Sequence, residues 1–198
     1  MTKGEDFMTI CVYGAASNNI DPSYIEAVET LGEKMAERGH SLVYGAGAGG
    51  LMGAVARGVY AGGGKIIGVA PTFFNVDGVL FENCTELIRT ETMRERKKIM
   101  EETADAFIMV PGGVGTFDEF FEILTLKQLK RHNKAMVVFN FRKYYNAMAE
   151  MMEKAVDEGF VAPGCLKLYE VLSNPDEVLD YIEGYKPEDL DIQNLRHI

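Results

Sequence analysis

Seven short apolar segments alternate along this chain with longer amphipathic segments, and no other feature restricts the fold as strongly. The apolar segments are rich in β-branched and aromatic residues, and several are nearly continuous apolar runs, as in parallel strands covered on both faces. They occupy residues 9–14, 41–45, 65–70, 86–90, 106–110, 134–140 and 168–173. The segments between them fit helices at 21–38, 50–61, 92–104, 116–131, 143–158 and 175–184. The alternation predicts an α/β fold: a Rossmann-like, doubly wound, mainly parallel sheet of about seven strands with helices on both faces.

Size and charge limit the classes of protein to which the chain can belong. A length of 198 residues suits one domain, so we predict a single domain over 1–198 with terminal tails at 1–8 and 186–198. The net charge of −10 argues against nucleic acid as a partner, because a phosphate backbone needs neutralising cations. It leaves room for a small anion in a local pocket. No apolar run approaches the ~20 residues that a membrane helix needs, so we expect no membrane partner.

Cysteine usage and the first residues of the chain predict its compartment. Cys11, Cys84 and Cys165 are odd in number and far apart, and no CxxC pair occurs. The opening sequence MTKGEDF is charged and lacks the apolar core of a signal peptide. Reduced thiols in a cytoplasmic protein are the simpler interpretation.

A first glycine-rich loop, GAGAGG, follows the second strand, and Gly45, Gly47 and Gly50 match the pattern GxGxxG. In dinucleotide-binding proteins an acid follows about 20 residues later at the end of the next strand, where it holds a ribose. Here that strand ends in GVAPT, without an acid. The loop is therefore either a tight turn or part of a site for a smaller nucleotide, and a dinucleotide site is the weakest of the three interpretations.

A second glycine-rich loop, PGGVGT, follows the fifth strand and opens a helix. Gly112, Gly113, Gly115 and Thr116 would present backbone N–H groups at a helix N-terminus, where the dipole also attracts an anion. No Gly-Lys-Ser/Thr follows, so the lysine and the magnesium ligand of triphosphate chemistry are missing. The loop predicts binding of a monophosphate.

Three acids, Asp118, Glu119 and Glu122, follow directly and would repel that anion. Thr116 and Glu119 have the spacing of a capping box, in which the carboxylate turns back onto the Thr116 N–H. Asp118 and Glu122 fit a solvated first turn of the helix. The alternative for Glu119 is that it acts on a part of the ligand other than the anion.

Cations crowd the start of the preceding helix in the stretch TMRERKK, against the preference of the helix dipole. Arg94 and Lys98 fit a solvated charged face. We expect one helix face to carry Met93, Lys97 and Met100 inward, so that Arg96 or Lys97 reaches a ligand at the edge of the sheet.

Taken together, these motifs resemble those of the Lonely Guy (LOG) family, the cytokinin riboside 5'-monophosphate phosphoribohydrolases. PGGVGTFDE matches PGGxGTxxE, MRERK matches MxxRK, VYGAGAGGLMG matches VYGGGxxGLMG, and EILTLKQL is similar to ExxTxxQL. The resemblance implies a Rossmann-like homodimer that hydrolyses a nucleoside 5'-monophosphate, such as AMP, to a free base and ribose 5-phosphate. It implies no metal and no organic cofactor.

The resemblance also implies roles for individual residues. The family's catalytic arginine and glutamate fall on Arg96 and Glu119. Its substrate-binding residues fall on the run Gly113–Glu119 with Lys97 and Thr125, and we extend the binding set by the neighbouring loop glycines. The full binding set is Gly45, Gly47, Lys97, Gly112, Gly113, Val114, Gly115, Thr116 and Thr125. An acid from the preceding loop falls on Asp77, with a spacing that differs by one residue from the family's.

Two departures from the family bear on the choice of base. Ala46 stands where the family has a glycine, and it would be strained by about 1 kcal/mol if that position needs a positive φ. Arg94 stands where plant members have histidine.

Two other functional classes remain open. A non-catalytic binding or carrier protein for a phosphorylated, nucleotide-like cofactor, such as the molybdenum cofactor, would use the same phosphate loop. A lysine decarboxylase would need pyridoxal phosphate on a lysine, with a partner for the pyridine nitrogen. No GxSxG, HExxH or EF-hand pattern occurs, and His40, His132 and His197 are single residues that fit structural or solvated positions.

The helix after PGGVGT is apolar around too much of its circumference for one buried face. A second packing surface is expected, and a second copy of the chain is its natural partner. The apolar residues are Phe117, Phe120, Phe121, Ile123, Leu124, Leu126 and Leu129.

Overall fold

The computed structural model describes residues 7–74, 78–187 and Leu195, and a seven-stranded sheet forms its centre. The strands run in the order β4-β3-β2-β1-β5-β6-β7, and every pair of neighbours is parallel. Their bounds are β1 Thr9–Tyr13, β2 Ser41–Tyr44, β3 Ile66–Pro71, β4 Glu86–Thr90, β5 Ala106–Met109, β6 Ala135–Phe139 and β7 Glu170–Leu172. The predicted parallel α/β sheet is confirmed.

Helices cover both faces of the sheet, as expected. In the described part of the chain they are α1 Pro22–Glu37, α2 Gly50–Ala61, α3 Met93–Thr103, α4 Val114–Gln128, α5 Asn146–Asp157 and α6 Pro175–Gly184. Side chains that alternate along β1 enter two separate cores, because successive residues of a strand point to opposite faces. Ile10 and Val12 pack with α1, α2 and α6, whereas Cys11 and Tyr13 pack with α3, α4 and α5.

Local sequence signals fix the helix ends. Asp21 caps α1 by accepting a hydrogen bond from the Ser23 N–H at 2.9 Å, and Pro22 is the first helical residue. Gly39 and Gly159 follow the ends of α1 and α5 with φ of 81° and 78°, a conformation that glycine adopts without strain.

Two histidines are structural, as predicted. His40 is buried, accepts the Met8 N–H at its Nδ1 and contacts Glu183 through its Nε2 at 2.9 Å. His132 contacts the Ile123 carbonyl through Nε2 at 2.9 Å. His197 lies outside the described residues.

The topology places a crevice between β1 and β5. The chain proceeds outward from β1 through β2, β3 and β4, and it then returns to the other side of β1 with β5. At such a switch point the loops that leave the two strands diverge, and ligands bind beyond the carboxyl ends of the strands. Among the described helices, none combines the length and the apolar character needed to cross a bilayer.

Candidate active site

A cleft of about 590 Å³ lies at this switch point. Its walls are the loops after β1, β2, β3 and β5, together with the starts of α2, α3 and α4. Gly45, Gly47, Gly113, Gly115 and Thr116 of the predicted site all line it. Arg96 and Glu119 line it as well, so the two glycine loops and the predicted catalytic pair meet in one place.

The PGGVGT loop presents free backbone donors to this cleft. Gly113 caps α4, and the Val114, Gly115 and Thr116 amides have no hydrogen-bond partner within the described residues. A methyl group built on Gly113 or Gly115 would meet nothing within 4 Å, and neither glycine has a positive φ. The fold itself therefore does not require glycine at these positions. Bare backbone leaves room for an anion to approach the amides closely.

The GAGAGG loop differs, because its helix N-terminus is already occupied. The Leu51 and Met52 amides both donate to the Ala15 carbonyl, at 2.8 and 3.2 Å, and the Gly50 amide donates to Asn18 Oδ1 at 2.7 Å. Gly50 has a φ of 56°, and a Cβ there would lie 2.5 Å from the Ala15 oxygen. The loop is thus a tight turn that packs α2 against the β1–α1 loop, and these three amides at the start of α2 are not available to a pyrophosphate.

A buried ion pair joins Arg96 to Glu119. Arg96 Nη1 donates to Glu119 Oε1 at 2.9 Å, and Arg96 Nε donates to the Val69 carbonyl at 3.2 Å. The two side chains are 7% and 12% exposed. The expectation that Lys97 faces inward with Met93 was wrong. Arg96 and Met100, four residues apart, form the buried face of α3, whereas Met93 is 38% exposed at the rim of the cleft.

Gly45 makes room for this pair. A Cβ at Gly45 would overlap Arg96 Nη2 and would lie 2.7 Å from the Met52 methyl carbon. The guanidinium therefore lies across the end of β2 at a point where only glycine fits. The first glycine of the GxGxxG pattern thus leaves space for the Arg96 side chain in this chain.

The capping-box interpretation of Glu119 was wrong. Helix α4 begins at Val114, so Thr116 is the third helical residue and cannot cap the helix, and Glu119 turns to Arg96 instead. A capping arrangement occurs at α3, where Thr92 accepts the Glu95 amide at 3.1 Å and Glu95 accepts the Glu91 amide at 2.9 Å.

Burial determines the acidity of Glu119. Removal from water raises the pKa of this carboxyl above its ordinary value of 4.5, and the nearby Arg96 opposes the rise. A carboxylate held in a cleft at an elevated pKa, with one fixed cationic partner, is typical of a functional acid.

Lys97 and Thr125 lie outside this cleft, on the adjoining face of α3 and α4. Lys97 pairs with Asp118 at 3.1 Å and with Glu122, and this pairing raises its pKa against the effect of burial. The Thr125 hydroxyl donates to the Phe121 carbonyl at 2.7 Å. Asp118 and Glu122, predicted as solvated acids at the helix start, thus hold Lys97.

The remaining predicted residues occupy varied positions. Val114 is 85% exposed, and Gly112 is buried behind the loop with its carbonyl bonded to the Tyr144 hydroxyl at 2.8 Å. Ala46 has a φ of 59°, so it carries the anticipated strain of about 1 kcal/mol. Arg94 is exposed. Asp77 lies outside the described residues.

The sequence did not predict the apolar residues that line the cleft. These residues come from four separate segments, so no single motif signals them. They are Met52, Phe74, Val79, Leu80 and Met93. Within the described residues, no group of three or more His, Cys, Asp or Glu side chains is placed to hold a metal ion.

We predict that Gly115→Ala stabilises the fold and weakens anion binding. Alanine at this helical position should raise the free energy of unfolding by about 0.5 kcal/mol, because it restricts the unfolded chain. Its methyl group would project into the cleft and should weaken binding of inorganic phosphate about tenfold or more. Urea unfolding and calorimetric titration measure the two effects. Gly184→Ala, at the end of α6 with equally open space around its Cβ, is the matched control and should leave phosphate binding unchanged.

Comparisons with known proteins agree with this geometry. The family model described as "possible lysine decarboxylase" matches residues 52–182. A cytokinin riboside 5'-monophosphate phosphoribohydrolase of Arabidopsis thaliana is 39% identical over 182 residues, which cover 92% of this chain and 84% of that protein. A probable enzyme of the same name from Oryza sativa subsp. japonica is 36% identical over 190 residues, covering 96% and 77% of the two chains. Among solved structures, the molybdenum cofactor carrier protein of Chlamydomonas reinhardtii aligns with a TM-score of 0.68 at 21% identity, over 89% of this chain and 96% of that chain, which shows a shared fold.

Proposed function

The chain belongs to the family of cytokinin riboside 5'-monophosphate phosphoribohydrolases, and we propose that it hydrolyses the N-glycosidic bond of a nucleoside 5'-monophosphate. The products are a free base and ribose 5-phosphate. The substrate is AMP or a cytokinin riboside monophosphate, in which adenine carries an N6 substituent.

One observation carries the proposal: the unpaired amides of the phosphate loop and the buried Arg96–Glu119 pair share one cleft. Gly115 and Glu119 are four residues apart on α4, which is about 6 Å along the helix axis. A phosphate held at the helix start therefore places the attached sugar beside the glutamate. Glu119 would repel the phosphate if it lay beside it. In this arrangement it faces the ribose, where positive charge develops during cleavage.

The chemistry follows from that placement. Cleavage of an N-glycosidic bond passes through an oxocarbenium-like transition state, so positive charge grows on the ribose. The Glu119 carboxylate stabilises that charge more strongly in the transition state than in the ground state, which is what accelerates a reaction. Arg96 fixes the orientation of the carboxylate. A guanidinium is too weak an acid to give up its proton readily, so Arg96 acts through charge and hydrogen bonds.

The residues of the cleft fit a cofactor carrier or a decarboxylase less well than a hydrolase. Carrying a phosphorylated cofactor requires the phosphate loop but gives no role to a buried carboxylate beside the sugar. A decarboxylase that uses pyridoxal phosphate needs a lysine for the Schiff base. The cleft contains no lysine among its described lining residues, and Lys97 is held by Asp118 and Glu122.

Incubation with AMP, followed by product chromatography, tests the proposal. We expect equal amounts of free adenine and ribose 5-phosphate, and a panel of nucleoside monophosphates then identifies the preferred base. Tight binding of AMP without release of any base from the panel would instead favour the carrier function.

We further propose that the protein is a homodimer that packs through an apolar face of α4. One face of α4 is buried in the core through Phe120, Ile123 and Leu124. A second apolar face is only partly covered: Val114 is 85% exposed, and the half-buried residues are Phe117, Phe121 and Leu126. This second face forms a groove that also includes Lys97 and Thr125. Because these two residues lie outside the cleft of their own subunit, we propose that they contact substrate bound by the partner subunit.

Light scattering at micromolar concentration should give twice the chain mass of 22.0 kDa. Val114→Glu should shift the protein to a monomer, because it places a charge on the packing face. Phe160→Glu, at a residue that is also 85% exposed but follows α5, is the control and should remain a dimer. A monomeric wild-type protein would contradict the proposal.

We propose a cytoplasmic location on the evidence of the thiols. All three cysteines are free, with Cys11 and Cys165 buried, and reducing compartments keep cysteines in this state. Recovery of the native protein from a secreted fraction would contradict this location.

A further inference from the structure

Two adjacent tyrosines at the start of α5 contact the backbone of the phosphate loop from behind. Tyr144 Oη donates to the Gly112 carbonyl and Tyr145 Oη donates to the Val110 carbonyl, each at 2.8 Å. The two bonds flank Pro111. Neither tyrosine is among the described residues that line the cleft.

The turn that delivers these tyrosines is strained and firmly held. Arg142 and Lys143 have φ of 53° and 61°, and non-glycine residues in this region each cost about 1 kcal/mol. Arg142 donates to Asp21 at 2.7 Å and to the Ser23 hydroxyl at 2.8 Å, and its guanidinium lies 5.4 Å from the centre of the Tyr24 ring. Strained backbone persists where its surroundings over-determine it, often near functional sites.

Asn140 anchors the other side of the turn. Its Oδ1 accepts the Tyr145 amide at 2.7 Å, and its Nδ2 donates to Asn146 Oδ1 at 2.9 Å. The Tyr24 ring packs edge-on against Tyr144 with centroids 6.1 Å apart. Contacts within the fold therefore position the Tyr144 side chain.

The bond to Gly112 controls the direction of a neighbouring amide. In a planar trans peptide, the carbonyl of one residue and the N–H of the next point in opposite directions. Holding the Gly112 carbonyl toward Tyr144 therefore turns the Gly113 N–H away from Tyr144, and Gly113 is one of the residues that line the cleft. Both residues of this peptide are glycines, whose backbone dihedrals have the widest freedom, so without the hydrogen bond the peptide plane could rotate.

We infer that Tyr144 is a positioning residue that locks the Gly112–Gly113 peptide in the orientation that binds the substrate phosphate. The inference rests on the proposed function of this loop. Tyr145 supports the same segment from within the core, where it is 1% exposed. The substrate is recognised by amides whose direction is set by a phenol outside the site.

Tyr144→Phe tests the inference, because it removes the hydroxyl and keeps the ring. Tyr144 is 45% exposed, so the variant should fold normally. The inhibition constants of inorganic phosphate and ribose 5-phosphate and the KM for AMP should rise about five- to tenfold, the effect of one hydrogen bond. The kcat and the inhibition constant of adenosine, which lacks the phosphate, should change little. Tyr24→Phe, in the neighbouring ring of the same aromatic cluster, is the matched control and should match the wild type in all these constants.

The outcomes separate the inference from the proposed function. Unchanged phosphate and ribose 5-phosphate constants in Tyr144→Phe would overturn the inference, while AMP hydrolysis by the wild type would stand. An equal loss of affinity for adenosine and for phosphate would also overturn it, since that pattern reports general disturbance of the cleft. A wild-type protein that binds neither phosphate nor ribose 5-phosphate would overturn both.

Discussion

Replacing Glu119 with glutamine should lower kcat for AMP hydrolysis by about 100- to 1,000-fold, the range seen when one group that stabilises a transition state is removed. Glutamine has nearly the same shape, and its carbonyl oxygen can still accept the hydrogen bond from Arg96. The KM should therefore change by less than about threefold, because only the charge that faces the developing cation is lost. Steady-state kinetics with chromatographic detection of adenine measures both constants.

The control for this variant is Glu102→Gln, a 64% exposed glutamate on α3 that pairs with the exposed Lys98. It should match the wild type in kcat. Thermal unfolding followed by circular dichroism should show that both variants retain a cooperative transition. Near-normal turnover by a folded Glu119→Gln protein would rule out a catalytic role for this carboxylate, even if the phosphate loop binds AMP.

The sheet and the strand-to-helix turn at PGGVGT could be predicted because their determinants are local. Nearly continuous apolar runs such as AFIMV identify strands buried on both faces, and PGGVGT directly after such a run identifies a strand-to-helix turn. The position of the helix start could not be predicted to the residue. Gly113 caps α4 without a side chain, so the usual N-cap signal pointed to Thr116 and suggested a capping box that does not form.

The identity of the buried cation depends on a contact that is distant in sequence. Arg96 and Lys97 are adjacent and face different directions on α3, and the spacing of Met93 and Met100 favoured Lys97. Two distant contacts make Arg96 the buried cation. Gly45 at the end of β2 leaves space for its guanidinium, and the Val69 carbonyl accepts a hydrogen bond from its Nε. The spacing of apolar residues along α3 reveals neither the contact with Gly45 nor the contact with Val69.

Helix geometry also explains why Thr125 and Glu119 do not share the cleft. Residues six positions apart on an α-helix are separated by about 120° around its axis, so the two side chains leave α4 on different sides. The Tyr144 contact had no sequence signal, because it joins the β6–α5 turn to a carbonyl 32 residues earlier.

Arg96→Met should lower kcat/KM for AMP by at least about 100-fold and should also move the pH dependence. In the proposed mechanism Glu119 is ionised when it stabilises the oxocarbenium ion, so activity should fall as the pH drops through the pKa of this carboxyl. Burial raises that pKa above 4.5, and the Arg96 charge opposes the rise. Removing the charge takes away the largest effect that opposes burial, so the acid limb of kcat/KM should lie at higher pH in the variant than in the wild type.

Two further variants separate charge from geometry. Arg96→Lys keeps the positive charge but loses the fork that contacts both Val69 and Glu119, so its acid limb should lie nearer the wild-type position while kcat stays low. Lys98→Met removes a 70% exposed cation two residues along the same helix and should change neither the rate nor the pH profile. If Arg96→Met loses activity but its acid limb stays where it is in the wild type, then Glu119 is not the group that titrates. Arg96 would in that case act on the ligand directly rather than through the carboxylate.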